Sequence, residues 1–177
     1  LSGEESPQDN DIYIEKLGRL KMVGALNLVL VLKQKFLTDG TYWLNINEPG
    51  FPFVAVVEHT NFVDPKHYGG NHILYVGGYY PQNHRYFKMD KEEIFEEFLP
   101  YLKRINPSFN FSVSVPDLSG TNFLISNFLI SNLFAQPVVL INHSGAIPEM
   151  ATPLSGVYLA NMQMVYPWDL GMNYAVE

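Results

Sequence analysis

A nearly continuous apolar run, Met22–Leu32, is the feature that most limits what this chain can fold into. Val and Leu dominate the run, and a polar residue, Asn27, interrupts it. It is too short to span a bilayer, because a membrane-spanning helix needs about 20 apolar residues. A strand that is buried on both faces has this kind of composition. The run therefore predicts a buried strand.

Three further strands are predicted between residues 41 and 80, where short apolar segments alternate with turn residues. They are Thr41–Asn47, Phe53–Glu58 and Ile73–Tyr80. Short strands that are separated by Gly, Pro and Asn turns are typical of an antiparallel or mixed sheet. We expect these segments and the apolar run to form one sheet.

The clearest predicted helix is Asp90–Ile105, which we expect to pack on one face of the sheet. Asp90 is a good N-cap, and Glu93 lies three residues later, as in a capping box. Pro100 predicts a kink or a break near Glu97–Leu99, because proline removes a helical hydrogen bond. The apolar residues of the segment form one stripe: Ile94, Phe95, Phe98, Leu102 and Ile105.

The remaining segments complete an α+β pattern. A short helix is predicted at Ile12–Leu20, and short strands are predicted at Val138–Asn142 and Val157–Ala160. Residues 122–131 hold a tandem copy of NFLIS, whose period of five indicates no repeat fold. The predicted fold class is α+β, with a mixed, mostly antiparallel sheet flanked by helices.

Composition excludes several classes of function. The chain has 11 basic and 18 acidic residues and a net charge of −7, so no nucleic-acid partner is expected. It has no cysteine, which excludes disulfides, thiolate zinc sites and a cysteine nucleophile. Because no signal or membrane-spanning segment is seen, a cytoplasmic location is expected. Exposed apolar surface would favour a homo-oligomer.

Few of the polar residues form a motif that indicates chemistry. Four histidines, His59, His67, His72 and His84, lack the spacing of metal ligands, so no metal site is predicted. Glu58 and His59 follow an apolar strand, where they could belong to a pocket or could cap the following loop. The chain contains neither a G-x-G-x-x-G nor a P-loop pattern. No catalytic residue is predicted.

The C-terminal stretch has a turn, a short strand, an aromatic loop and the start of a helix. Gly156–Ala160 followed by Tyr166–Glu177 resembles the closing segment of the FAD-dependent amine oxidoreductases, the family of monoamine oxidases, phytoene desaturases and protoporphyrinogen oxidases. The family pattern is G-[LV]-Y-x-A-[GN], a variable loop and G-x-x-x-A-V-E, and a bacterial branch has YPWDxGxNYAVE. Leu170 stands where that branch more often has Arg. Other stretches fit the branch in the same order: Gly24–Leu32, Tyr42–Phe53, Val57–Phe62, Phe98–Pro107 and Ala135–Val138.

The resemblance implies that this chain is the substrate-side piece of an FAD-dependent oxidoreductase whose Rossmann half lies elsewhere in a larger protein. Residues 1–11 would be a polar leader, residues 12–155 the substrate-side domain, and residues 156–177 the start of an FAD-contacting strand–loop–helix segment. Tyr166 and Trp168 would line the substrate pocket together with Glu58 and His59. Flavin contacts are implied for Ala160, Asn161, Gly171, Met172, Asn173 and Tyr174.

Within this resemblance, backbone N–H groups of Met172 and Asn173 would face the N1–C2 edge of the flavin, since a helix N-terminus stabilises negative charge. The expected substrate is small or lipid-like and apolar. The piece alone is expected to be inactive and to bind no FAD. Two alternatives stay open: a non-catalytic, aromatic-lined module that binds a ligand or a protein, and a flavin enzyme without net oxidation, such as a sugar mutase.

Overall fold

The computed structural model describes residues 7–111 and 124–168, and these residues form an α+β fold. The expected fold class is therefore confirmed. Short 3-10 helices connect several of the main elements, including His59–Asn61 and Pro65–Tyr68. The two helices and five strands are α1 (Pro7–Arg19), β1 (Lys21–Leu32), β2 (Trp43–Asn45), β3 (Ala55–Glu58), β4 (His72–Tyr80), α2 (Lys91–Ile105) and β5 (Leu124–Val138).

The five strands form one sheet in the order β2-β3-β4-β1-β5. The pairs β2–β3, β3–β4 and β4–β1 are antiparallel. Leu28 of β1 lies opposite Val76 of β4, and Val76 in turn lies opposite Val56 of β3. The four strands expected between residues 22 and 80 thus share a sheet, as the sequence predicted.

Side-chain alternation along β1 divides the sheet into two different faces. Leu26, Leu28, Leu30 and Leu32 are almost fully buried, and they belong to one apolar core with Phe98 and other residues of α2. The intervening side chains of β1 are mostly only half-buried. The expectation that β1 is buried on both faces is therefore wrong, because α2 covers one face and the other is partly open.

Helix α2 begins as the sequence predicts but does not break at its proline. The Asp90 carboxylate accepts a hydrogen bond from the Glu93 backbone N–H, and the Glu93 carboxylate accepts one from the Asp90 N–H, both at 2.9 Å. The helix continues from Lys91 to Ile105 through Pro100. Pro100 and Glu96 are both exposed, so water can solvate the Glu96 carbonyl that loses its helical donor.

Three segments differ from the sequence prediction. Helix α1 begins at Pro7, within the stretch expected to be a polar leader. Residues 124–131 of the tandem NFLIS segment belong to the fifteen-residue strand β5, which periodicity did not reveal, and this strand ends at Val138 rather than continuing to Asn142. The strand expected at Val157–Ala160 is reduced to an antiparallel bridge between Ala151 and Tyr158.

The chain divides into two compact units. One comprises Gly24–Leu133, and the other comprises Leu1–Val23 with Phe134–Glu177. Within the second unit, the Tyr13 hydroxyl donates to the Glu149 carbonyl at 2.9 Å, and Lys16 forms an ion pair with the Glu149 carboxylate at 2.7 Å. The domain boundaries proposed from the sequence stay a prediction.

Candidate functional site

The face of the sheet that points away from α2, here called the outer face, carries the odd-numbered residues of β1 to β4. The register aligns Asn27, Gly77, Ala55 and Asn45 in one row across the four strands. A neighbouring row holds four larger residues: Val29, Tyr75, Val57 and Trp43. Large side chains therefore stand beside a row whose middle positions are small.

This difference in size leaves an open trough of about 420 Å³ on the outer face. Gly77 is one of the residues at the bottom of the trough. A Cβ atom on Gly77 would lie 2.1 Å from the backbone oxygen of Leu26, so no larger residue fits there. Its volume falls in the usual range of small-molecule sites. The lining residues are Ala25, Leu26, Asn27, Tyr42, Trp43, Asn45, Val54, Ala55, Val57, Tyr75, Gly77, Gly78 and Tyr79.

The lining of the trough is aromatic and uncharged, with two side-chain amides. The Asn45 Oδ1 atom accepts a hydrogen bond from the indole Nε1 of Trp43 at 2.8 Å. The amide of Asn27 has no hydrogen-bond partner among the described residues. Trp43 and Tyr79 keep 55% and 56% of their surfaces exposed, so the trough presents aromatic surface to its surroundings.

An aromatic cluster borders the trough at the end of β3. The His59 ring lies 5.6 Å from the Tyr75 ring, and its Nε2 atom is 2.7 Å from the Tyr68 hydroxyl. Burial raises the pKa of Tyr75, and the nearby Tyr68 and Tyr42 add to this shift. His59, which the sequence proposed as a pocket residue, therefore contacts a residue that lines the trough.

Glu58, the other proposed pocket residue of this segment, holds a loop instead of facing the trough. Its side chain is fully buried, and its Oε2 atom accepts hydrogen bonds from the backbone N–H groups of Phe36 and Leu37 at 2.9 and 3.1 Å. Its Oε1 atom accepts a hydrogen bond from the Thr60 hydroxyl at 3.1 Å. The carboxylate has no accessible surface for a ligand in this structure, and the backbone groups that it holds belong to the loop at Phe36 and Leu37 rather than to the loop that follows β3.

A histidine extends this buried network towards the surface. The Thr60 Oγ1 atom lies 3.1 Å from Nδ1 of His72 and accepts from the backbone N–H of Ile73. Burial lowers the pKa of His72, and Lys35 lowers it further, whereas the negative charge of Glu58 opposes the shift. The folded protein therefore favours the neutral imidazole.

This preference predicts a loss of stability in acid. The unfolded chain takes up a proton near the ordinary histidine pKa of about 6.5, whereas folded His72 takes it up only at lower pH. Neutral His72 makes its full contribution to stability above the unfolded-state pKa of about 6.5. This contribution is lost as the pH falls through the lower pKa of the folded protein. In urea titrations from pH 7 to pH 5, we expect His72→Gln to lose less unfolding free energy than the wild type.

The matched control is His67→Gln, since His67 is exposed on a 3-10 turn. Its pH dependence should follow that of the wild type. An equal loss of stability in the His72→Gln and His67→Gln proteins would show that His72 does not contribute.

The C-terminal site candidates that can be described lie in the second unit. Ala160 is exposed, and the Asn161 carbonyl oxygen Oδ1 accepts from the Gln163 backbone N–H at 3.0 Å, which caps a 3-10 helix. Tyr166 and Trp168 are exposed by 50% and 67%. The other four proposed flavin contacts, Gly171, Met172, Asn173 and Tyr174, lie outside the described residues.

A buried histidine in this unit escaped the sequence analysis. His143 is 5% exposed, its Nε2 atom is 3.0 Å from the Gln163 carbonyl oxygen, and its ring lies 6.1 Å from that of Tyr166. These contacts place His143 beside one of the proposed pocket residues. A lone histidine in a loop gives no periodic signal from which such a contact could be inferred.

The described residues contain neither a metal-binding cluster nor a helix that could cross a membrane. Residues 7–111 and 124–168 contain no cluster of three or more His, Asp or Glu side chains suited to a metal ion. Neither of the two described helices has the length and apolar character that crossing a membrane requires.

Comparison with known proteins identifies the fold. No family model matches the chain, and neither does any curated protein sequence. An oxidoreductase from Methanosarcina mazei is similar in structure, with a TM-score of 0.54 and 20% identity over 88% of this chain and 32% of that protein. A reduced UDP-galactopyranose mutase is similar with a TM-score of 0.54 and 12% identity over 77% of this chain and 26% of that protein.

The chain therefore spans about a third or less of the length of these two enzymes. At such low identities the similarity shows a shared fold and nothing finer. The α+β unit described here is thus a fold that recurs as one part of larger enzymes.

Proposed function

We propose that this chain is the substrate-side part of an FAD-dependent oxidoreductase of the amine oxidase type, in which the outer face forms a wall of the substrate pocket. The observation that carries the proposal is the trough, an open, aromatic and uncharged depression on one face of the sheet. Such surfaces bind apolar ligands through burial of ring surface, with a few polar groups that fix orientation.

Two further observations support the proposal. The same fold occurs as part of an oxidoreductase. The order of motifs from Gly24–Leu32 to Tyr166–Glu177 resembles the FAD-dependent amine oxidoreductases. The outer face also fits a planar ring system, because Gly77 leaves the floor bare and the walls are aromatic rather than charged.

When bound, a flavin would supply the hydride-accepting chemistry, so the protein needs to bind and orient rather than to react. In this scheme Tyr75, Tyr79 and Trp43 exclude water from the apolar part of the substrate. Glu58 does not contact the substrate in this scheme. It holds the loop at Phe36 and Leu37 against the end of β3. Tyr166 and Trp168 remain proposed pocket residues, and Ala160 and Asn161 remain proposed cofactor contacts.

The second candidate is a flavin enzyme that acts on a nucleotide sugar without net oxidation. It is favoured by the structural similarity to UDP-galactopyranose mutase. A sugar diphosphate, however, is best bound by Arg or Lys side chains, and the trough is lined by neither. We therefore prefer an oxidoreductase with an uncharged substrate.

The proposal is tested by the visible absorption spectrum of the full-length protein after gel filtration. We expect the two absorption bands of a flavin at close to one flavin per protein, and release of FAD on denaturation. The isolated 177-residue chain should be colourless, because the adenosine and pyrophosphate contacts are expected from the missing half. A folded, colourless full-length protein would contradict the proposal.

A substitution at Gly171 gives a more local prediction, which rests on the resemblance alone. We expect Gly171→Val in the full-length protein to lower flavin content, because a side chain would intrude where the backbone approaches the ring. The matched control is Gly50→Val at a φ of +90°, which should cost about 1–3 kcal/mol of stability yet retain the flavin. Full flavin content in both variants would remove Gly171 from the cofactor site.

A further inference from the structure

We propose that the trough binds an uncharged, ring-shaped ligand that carries one hydrogen-bonding group, such as an amide or a ketone, and that Asn27 binds this group. The inference rests on the proposed function and deepens it, since this ligand would be the non-reacting part of the substrate. It makes Asn27 the residue that determines specificity.

Asn27 is unusual for its position in the sheet. It interrupts an otherwise apolar strand, it is half-buried on the outer face, and its amide has no partner among the described residues. Among the described residues, Asn61 Oδ1 is the one buried side-chain polar atom without a partner, so the amide of Asn27 is still accessible. A hydrogen-bonding ligand in the trough would use this free donor and acceptor, whereas leucine at this position would offer neither.

The neighbours of Asn27 leave room for such a ligand. Gly77, the residue directly opposite on β4, has no side chain and cannot acquire one without a backbone collision. Ala55, opposite Gly77 on β3, also has a small side chain, and Asn45 on β2 is the last residue of the row. Three strand spacings separate Asn27 from Asn45, or about 14 Å, which is enough for a ligand of two or three fused rings.

The walls determine the charge and shape of the ligand. Tyr75 and Trp43 stand on one side of this row and Tyr79 on the other, so aromatic side chains border the row on both sides. No Asp, Glu, Lys, Arg or His side chain lines the trough. A charged ligand would therefore lose hydration without gaining a counter-charge, whereas a neutral ring loses little.

The test uses 2-naphthamide and its charged isostere 2-naphthoate as probes of the full-length protein labelled with 5-fluorotryptophan. Trp43→Phe assigns the ¹⁹F resonance of Trp43, which lies in the trough, because this substitution removes that one signal from the spectrum. We expect 2-naphthamide to shift this resonance and to bind at least about tenfold more tightly than 2-naphthoate. Removal of one neutral hydrogen bond in Asn27→Leu should weaken 2-naphthamide binding about tenfold.

Asn83→Leu is the matched control, because Asn83 is exposed in the turn that follows β4, and it should leave binding unchanged. Asn27→Ala removes the same amide without adding bulk. It replaces Asn27→Leu in the binding measurement if the leucine variant does not fold. Equal binding of the two probes, no shift at Trp43, or unchanged 2-naphthamide binding in both Asn27 variants would overturn the inference.

The flavin spectrum of the same samples separates this inference from the proposed function. A flavin-containing protein that does not bind 2-naphthamide overturns the inference about Asn27 and leaves the proposed function standing. A folded, flavin-free protein that binds 2-naphthamide through Asn27 supports the ligand site and overturns the proposed role as part of a flavin enzyme.

Discussion

Replacing Glu58 by leucine is expected to lower the free energy of unfolding by about 4 kcal/mol, because two buried backbone donors lose their acceptor. The backbone N–H groups of Phe36 and Leu37 both donate to the Glu58 carboxylate, and the side chain has no exposed surface. Water cannot replace the carboxylate unless the loop opens. Urea denaturation followed by circular dichroism measures this loss.

Glu58→Gln is the matched control, since a glutamine can satisfy the same network. Its carbonyl oxygen can accept from both backbone donors, and its amide can donate to the Thr60 hydroxyl, which can then donate to His72. We expect it to retain most of the wild-type stability. If the leucine variant were as stable as the glutamine variant, Glu58 would not be the anchor of this loop.

The second large effect is expected at Gly77. In Gly77→Ala the new Cβ would lie 2.1 Å from the Leu26 oxygen and 2.9 Å from the Asn27 Cα, both of which belong to the backbone of the neighbouring strand. The two strands would have to separate, at a cost of about 3 kcal/mol or more in unfolding free energy. Thermal and urea denaturation of the purified variant would measure this cost.

Gly78→Ala provides a control at the next residue of the same strand. Its closest contact would be the Cγ2 atom of Val54 at 2.8 Å, a side-chain atom of a half-exposed residue that can rotate away. The stability loss should be smaller than that of Gly77→Ala, since the nearest backbone atom would lie at 3.3 Å rather than 2.1 Å. Similar losses at both glycines would contradict the close strand approach at Gly77.

The parts of the fold that the sequence predicted are those with strong local signals. The Asp90–Glu93 capping box and the apolar stripe fix the start and the buried face of α2, and tertiary packing does not override them. Strand β5 was missed because NFLISNFLIS repeats every five residues rather than alternating, and only two of the 15 side chains of the strand are buried. The strand at Val157–Ala160 was overpredicted because its pairing with the segment around Ala151 extends over a single bridge.

The candidate site was harder to predict, because it depends on which face of each strand is covered. Glu58 and His59 were noticed at the end of an apolar strand, yet their opposite roles follow from the inward and outward sides of β3, which the sequence does not distinguish. The trough left a signal that was not used. Asn27 interrupts an apolar run, and Tyr75, Gly77 and Tyr79 occupy alternate positions along β4.

The proposal that the outer face forms a wall of the substrate pocket beside a bound flavin is tested most directly by ¹⁹F NMR of the full-length protein labelled with 5-fluorotryptophan. Spectra are recorded before and after anaerobic reduction by dithionite, and Trp43→Phe assigns the signal of Trp43 by its loss. The account predicts a bound flavin whose reduction moves the Trp43 resonance, because the field of the ring changes with its redox state. A protein without flavin, or a fully reduced flavin that leaves the Trp43 resonance unmoved, would contradict it.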